Sequence, residues 1–138
     1  MTRTLSNEDL QMMRIVEERT GARVMDVVVM PATISFLVNN GDLGKAIGKN
    51  SINLHKLKKE FNKVVEFVEY ADDLGQFIRN LFKPVEVTKM DIADENRKVM
   101  LEVDPENKGL AIGKAGEKIN RARTLTERYY GVKELRIL

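Results

Sequence analysis

The 138-residue sequence predicts an α+β fold built twice in tandem. Three observations lead there. First, two segments match at an offset of 65 residues. Gly44-Lys45-Ala46-Ile47-Gly48-Lys49-Asn50-Ser51 and Gly109-Leu110-Ala111-Ile112-Gly113-Lys114-Ala115-Gly116 are identical at five of eight positions, including the whole string Ala-Ile-Gly-Lys. Second, the same offset aligns Ile34-Ser35-Phe36-Leu37-Val38-Asn39 with Val99-Met100-Leu101-Glu102-Val103-Asp104, and sets Leu54 opposite Ile119 and Lys56 and Lys58 opposite Arg121 and Arg123. Third, each half reads as helix, strand, strand, helix, helix, strand. A short Gly-Lys match arises easily by chance, but rarely together with the apolar run before it and the basic spacing after it. The sequence therefore divides into modules of residues 1–70 and 71–138. No Gly/Ser-rich linker separates them, so a close, rigid junction is expected.

The elements follow in order. Ser6 and Asp9 form a capping-box pattern, and Leu10, Met13 and Val16 mark the apolar stripe of a helix that stops near Gly21. Arg23 to Met30, rich in Val, reads as a strand. Pro31-Ala32 is a turn, and Thr33 to Val38 a second strand. Asn39-Asn40-Gly41-Asp42 is turn chemistry. A short helix leads to Gly48, and a longer one runs from about Ser51 to Phe61 with Leu54, Leu57 and Phe61 on one face. Val64 to Tyr70 closes the module as a strand. In the second half, Asp72 or Asp73 caps a helix carrying Leu74, Phe77, Ile78, Leu81 and Phe82, which Lys83-Pro84 ends. Val85 to Ile92 and Lys98 to Val103 are strands joined by a polar turn. Pro105 to Lys108 opens a short helix, Gly113 to Gly116 is a turn, Glu117 to Tyr130 a helix ended by Gly131, and Glu134 to Leu138 the closing strand.

Composition excludes several functions. There is no Cys, so disulfides, thiolate metal sites and Cys nucleophiles are ruled out, and one His (His55) supports neither a multi-His metal site nor a Ser-His-Asp triad. No catalytic cluster, cofactor or metal is expected. No run of 18 apolar residues occurs, and the opening MTRTLSNEDLQ lacks the apolar core of a signal peptide, so a soluble, cytoplasmic protein without a membrane partner is expected.

Net charge is only +2, but it is unevenly distributed. Residues 44–63 hold six lysines against Glu60, a net +5, and residues 108–128 hold six basic residues against Glu117 and Glu127, a net +4. The rest of the chain carries −7. Solvated helix faces ordinarily mix both signs, so this sorting points to a polyanionic partner. Each basic window contains a Gly-Lys turn: Gly48-Lys49-Asn50-Ser51 and Gly113-Lys114-Ala115-Gly116. Glycine permits a sharp turn and close approach, the next helix offers unpaired amides, and lysine adds a full charge. A nucleotide-binding P-loop is rejected. Only three residues separate Gly109 from Gly113, and Asn50 or Ala115 stands where a magnesium-holding hydroxyl is needed.

The string Gly-Leu-Ala-Ile-Gly-Lys-Ala-Gly-Glu-Lys-Ile-Asn resembles the GXXG loop of a KH domain, which clamps about four nucleotides of single strand. The element order is similar to the type II, prokaryotic KH fold, and the pair of modules resembles the tandem KH domains of NusA-like transcription factors, over about Leu5 to Leu138. The resemblance implies an α/β sandwich in each module, a three-stranded sheet packed with helices. It implies single-stranded RNA, a nascent transcript, as partner, with RNA polymerase a further candidate and no small-molecule substrate. It implies a role in transcription elongation, termination and antitermination. The site residues carried over are Gly48, Lys49, Asn50, Ser51, Gly113, Lys114, Ala115 and Gly116, flanked by Lys45, Ile47, Lys56, Ile112, Lys118 and Arg121. Ile47 and Ile112 are either base-bearing floor or ordinary core. Ser51 stands where the pattern has glycine, so the first module is expected to bind more weakly or in another register. The longer bacterial factors carry polymerase-binding and OB-type modules that are not seen in this sequence, and the compact pair resembles the short archaeal members. The competing reading is a structural KH protein of the ribosome or another ribonucleoprotein, which the lack of long basic tails disfavours. His55 is expected at the surface or groove edge, where its imidazole would gain charge beside phosphate, and Tyr129 and Tyr130 are expected to pack rather than stack on bases.

Overall fold

The computed structural model describes residues 5–138. They fall into two compact units, one ending at Ala71 and the other beginning at Asp72.

In the first unit, α1 (Asn7–Thr20) opens on a capping box: the Asp9 amide donates to Ser6 Oγ at 3.0 Å, and the Ser6 amide to Asp9 Oδ2 at 3.4 Å. Gly21 ends it in the left-handed conformation. Met13 and Val16 are buried, but Leu10 is 44% exposed. At 3.6 residues per turn each step of three falls about 60° short of a full turn, so Leu10 sits about 120° around the helix from Val16 and off the buried stripe. β1 (Val24–Val29) pairs antiparallel with β2 (Thr33–Val38), and β3 (Val64–Glu69) pairs parallel with β2 at the other edge. Between them lie α2 (Leu43–Ile47) and α3 (Ile52–Phe61). Alternate residues Ile34, Phe36 and Val38 of β2 point into a core shared with Met13, Val16, Ala46 and Leu57, with Leu54 and Phe61 packed at its margin. The Phe36 ring stands 5.9 Å from Phe61 and 6.0 Å from Phe67.

The second unit repeats the plan. Asp73, not Asp72, caps α4 (Leu74–Phe82) by accepting the Gln76 amide at 2.9 Å. Its five expected apolar residues are all buried. β4 (Val87–Ala93) starts two residues later than the sequence pattern suggests, because the Val85 amide is spent in a turn on the Phe82 carbonyl. β5 (Lys98–Val103) is central, antiparallel to β4 and parallel to β6 (Glu134–Ile137). α5 (Lys108–Ile112) and α6 (Glu117–Tyr130) intervene, and Gly131 caps α6. Tyr129 and Tyr130 pack against Phe77, with ring centroids 6.3 and 5.7 Å away. Helix order and mixed sheet are those of the type II KH fold in both units. No helix among the described residues is long and apolar enough to cross a membrane.

Candidate nucleic-acid interface

In each unit a five-residue helix, α2 or α5, runs into one tight helical turn, residues 49–51 or 114–116, and then into the long helix α3 or α6. Gly48 (φ 78, ψ 165) and Gly113 (φ 83, ψ 166) occupy a backbone region used almost only by glycine. Space forbids a side chain as well. A Cβ on Gly113 would lie 2.7 Å from Lys118 Cβ and 2.9 Å from its amide nitrogen, and one on Gly48 would lie 2.8 Å from Asn53 Nδ2. Two left-handed residues then reverse the chain: Asn50 (φ 54, ψ 32) and Ser51 (φ 59, ψ 27), or Ala115 (φ 55, ψ 24) and Gly116 (φ 72, ψ 13). Lys49, Asn50, Lys114 and Ala115 stand exposed at the tips. The first amides of a helical turn have no carbonyl one turn back within the helix, so each tip offers N–H groups beside a lysine, a seat for an anion.

Ser51 follows the same path as its glycine counterpart. Its side chain costs about 1–2 kcal/mol of left-handed strain but does not collide. A Cβ at the equivalent Gly116 would meet Asn120 Nδ2 at 3.6 Å, an ordinary contact.

Below the second loop a cleft of about 420 Å³ opens between α6 and β6. Ile112, Ile119 and Ile137 supply apolar surface, and Asn120, Arg123 and Arg136 supply polar groups. Arg123 is held in place, its Nε donating to the Leu135 carbonyl at 3.0 Å. An apolar floor beside a phosphate-sized anion seat suits a base joined to a backbone.

The remaining predicted residues divide. Lys45 and Lys56 are exposed on α2 and α3, Lys45 lying 4.0 Å from Asp42. Ile47 and Ile112 are half-buried beside their turns, and Ile112 lines the cleft. His55 is exposed on α3. Two residues fall elsewhere. The Lys118 ammonium donates to the Lys83 carbonyl at 2.8 Å, tying α6 to the end of α4. Arg121 is only 3% exposed and donates to the Leu81 carbonyl at 2.6 Å. It answers the carbonyl end of α4 and does not reach the surface a phosphate would meet. Its counterpart Lys56 is exposed, so equal spacing in the sequence conceals unequal positions.

Asn120, Arg136 and Ile137 escape the sequence argument. α6 has 14 residues and α3 has 10, so the closing strands lie out of step with the 65-residue repeat. Strand register restores the match: Met100 pairs with Arg136 as Ser35 pairs with Glu66, and Leu101 with Ile137 as Phe36 with Phe67. Arg136 in one unit thus answers Glu66 in the other, a reversal of charge at one site.

A model of the NusA-like second KH domain matches residues 74–137. The probable transcription termination protein NusA of Methanococcus vannielii is 34% identical over 136 residues, spanning 97% of this chain and 79% of that protein. The probable transcription termination protein NusA of Halococcus morrhuae is 33% identical over 135 residues, 97% of either chain. Among solved structures, the crystal structure of APE1850 superposes with a TM-score of 0.80 at 30% identity, covering 97% of this chain and all of that one.

Proposed function

The chain belongs to the archaeal NusA-like family of tandem KH proteins, and on that premise we propose that it binds single-stranded RNA, a nascent transcript, as a non-enzymatic factor in transcription termination and antitermination. The observation that carries the reading is the pair of like Gly-Lys turns, each built on a glycine at positive φ where a Cβ would come within 2.8 Å of a neighbouring atom. In this reading the tip amides and Lys49 or Lys114 hold backbone phosphates. In the second module the bases lie over Ile112, Ile119 and Ile137, with Asn120 offering an amide to a base edge and Arg136 a charge to the next phosphate. Two clamps on one chain raise affinity through effective concentration, so each alone binds poorly. RNA polymerase is proposed as a neighbour of the bound transcript rather than as a contact of any named residue.

The test is the double variant Lys114→Asp/Ala115→Asp. Both side chains are exposed, so circular dichroism and melting should stay unchanged. A charge-assisted phosphate contact is worth about 1.5–3 kcal/mol, so affinity for single-stranded RNA should fall about 10- to 100-fold. Unchanged affinity at two salt concentrations would end the clamp assignment. Crosslinking in cells separates this role from a structural ribonucleoprotein one: nascent transcripts with polymerase support it, and ribosomal RNA alone refutes it.

A further inference from the structure

The two sheets end on unlike edges. In each, the strand that opens the sheet, β1 or β4, pairs with a neighbour along one side only. Strand register sets Lys89 of β4 opposite Glu102 and Asp91 opposite Met100, the places that Asp26 and Val28 hold in β1 opposite Leu37 and Ser35. Asp26 and Val28 are 3% and 6% exposed, so that stretch of β1 is covered. β4 is open. Thr88, Lys89, Asp91, Ile92 and Ala93 are all exposed, and Ile92 is 40% exposed although Val99 opposite it is buried. No strand among the described residues uses the free side of β4.

An open edge carries unpaired amides and carbonyls, and is ordinarily blunted by proline, by a bulge or by charge that repels an incoming strand. β4 has no proline, and its bulge lies between Val87 and Lys89, ahead of a regular run to Ala93. Met90 and Ile92 stand opposite Leu101 and Val99 on the buried face, while Lys89 and Asp91 share the other face. Lys89 meets Glu102 only at 3.9 Å, in solvent, and Asp91 makes no ion pair among the described residues. The charges decide which strand fits. When two copies of β4 lie antiparallel, only residues of like parity can face each other, because every second residue turns its backbone groups outward. Met90 opposite Met90 sets Lys89 against Asp91 twice, and Thr88 against Ile92 twice. A slip of two residues one way sets Lys89 against Lys89, and a slip of two the other way sets Asp91 against Asp91. One register thus has two opposite-charge pairs, and the registers on either side of it have a like-charge pair.

We infer that β4 docks on β4 of a second copy of this chain, in the register centred on Met90, and joins two three-stranded sheets into one. The same edge serves both copies, so the pairing closes as a dimer and does not propagate. One strand from each side makes a small interface, and the dimer is a reversible one. The register equivalents in β1, an acid and a valine, offer no such complementarity, so the device belongs to the second unit and not to the fold. β6 lies at the opposite margin of the same sheet, so the dimer leaves the cleft between α6 and β6 open. It also brings the Gly-Lys turns of two chains into one particle.

The experiment is sedimentation velocity of the whole chain without RNA, at protein concentrations up to about 1 mM. The unaltered protein should pass from monomer to dimer as concentration rises. Lys89→Asp and Asp91→Lys alter exposed side chains and should leave circular dichroism unchanged, but each should weaken the dimer about tenfold. Mixed in equal amounts, the two variants should form a mixed dimer tighter than either forms alone, and Lys89→Asp/Asp91→Lys should recover the dimer. Hydrogen exchange at dimer concentration should slow at alternate amides of Lys89–Ala93 and stay independent of concentration in β1. A chain that remains monomeric throughout overturns the inference. So does a dimer indifferent to both single variants, since its interface then lies elsewhere. Loss in both single variants with no recovery in the mixture or the double variant also overturns it, because the charges would then act within the strand and not across the pair.

Discussion

The two units share a turn and differ in what surrounds it. Around Gly113–Gly116 only Ala115 carries a side chain in the left-handed region, and the adjoining cleft combines three isoleucines with Asn120, Arg123 and Arg136. Around Gly48–Ser51 a serine is forced into the left-handed region, Glu66 takes the arginine's register position, and positive charge is displaced to the far end of α3. One fold copied within one chain has thus been specialised by a few side chains. The second unit concentrates its charge at the turn and cleft, while the first spreads its charge along the helix. The backbone path of the turn and its leading Gly-Lys are what the two units hold in common.

The largest effect should come from the glycine that precedes the turn. Gly113→Ala places a Cβ against the backbone of Lys118 and should cost about 3 kcal/mol, the sum of strain and overlap. Gly48→Ala should cost about 1 kcal/mol less, because its obstacle is the side-chain amide of Asn53, which can give way by releasing the Lys45 carbonyl it holds at 3.0 Å. Urea unfolding midpoints read both, and equal losses would show that the two turns are constrained alike.

Next comes the pair Arg121 and Lys56, equivalent in the repeat. Arg121→Ala should destabilise by about 2 kcal/mol through the loss of a buried charged hydrogen bond, whereas exposed Lys56→Ala should stay within about 0.5 kcal/mol. RNA affinity at a temperature well below unfolding separates roles: a loss there for the folded Arg121 variant would return it to the binding surface.

Exchange of the groove charges sharpens the contrast further. Arg136→Glu should weaken RNA binding about fivefold, and Glu66→Arg should strengthen it, with the salt slope moving in opposite directions in the two variants. Movement in the same direction would mean that the strand does not follow equivalent paths across the units. The smallest change concerns the turn's last residue. Ser51→Gly should stabilise the protein by about 1 kcal/mol and Gly116→Ser should destabilise it by a similar amount. Thermal denaturation detects both, and no change in either would show that the serine is not strained.

Much of the molecule was legible in the sequence because its signals are local. Ser6 with Asp9, Gly21, Asn39–Asp42 and Gly131 mark ends and turns through bonds made within a few residues, and each acts in the structure as its type suggests. The mostly apolar run Ile34–Val38, buried throughout, and the helical spacing of Leu74–Phe82 report burial directly. Leu10 misled because a spacing of three lies on the buried stripe only when its neighbours are centred there. Lys118 and Arg121 misled because charge and repeat position say nothing of which way a helix faces, and both turn toward the end of α4.

The sequence by itself determined two modules, their element order, and the Gly-Lys turns with their basic helices, since each depends on residues close together in the chain. The tertiary structure decided which of those cations reach the surface of a groove and which serve a neighbouring helix. It also brought β6 beside α6, placing Arg136 and Ile137 next to Asn120. That juxtaposition depends on strand register, and a helix longer by four residues shifts the register away from the repeat. Spacing along a chain sets local geometry, but the pairing of distant segments sets the site.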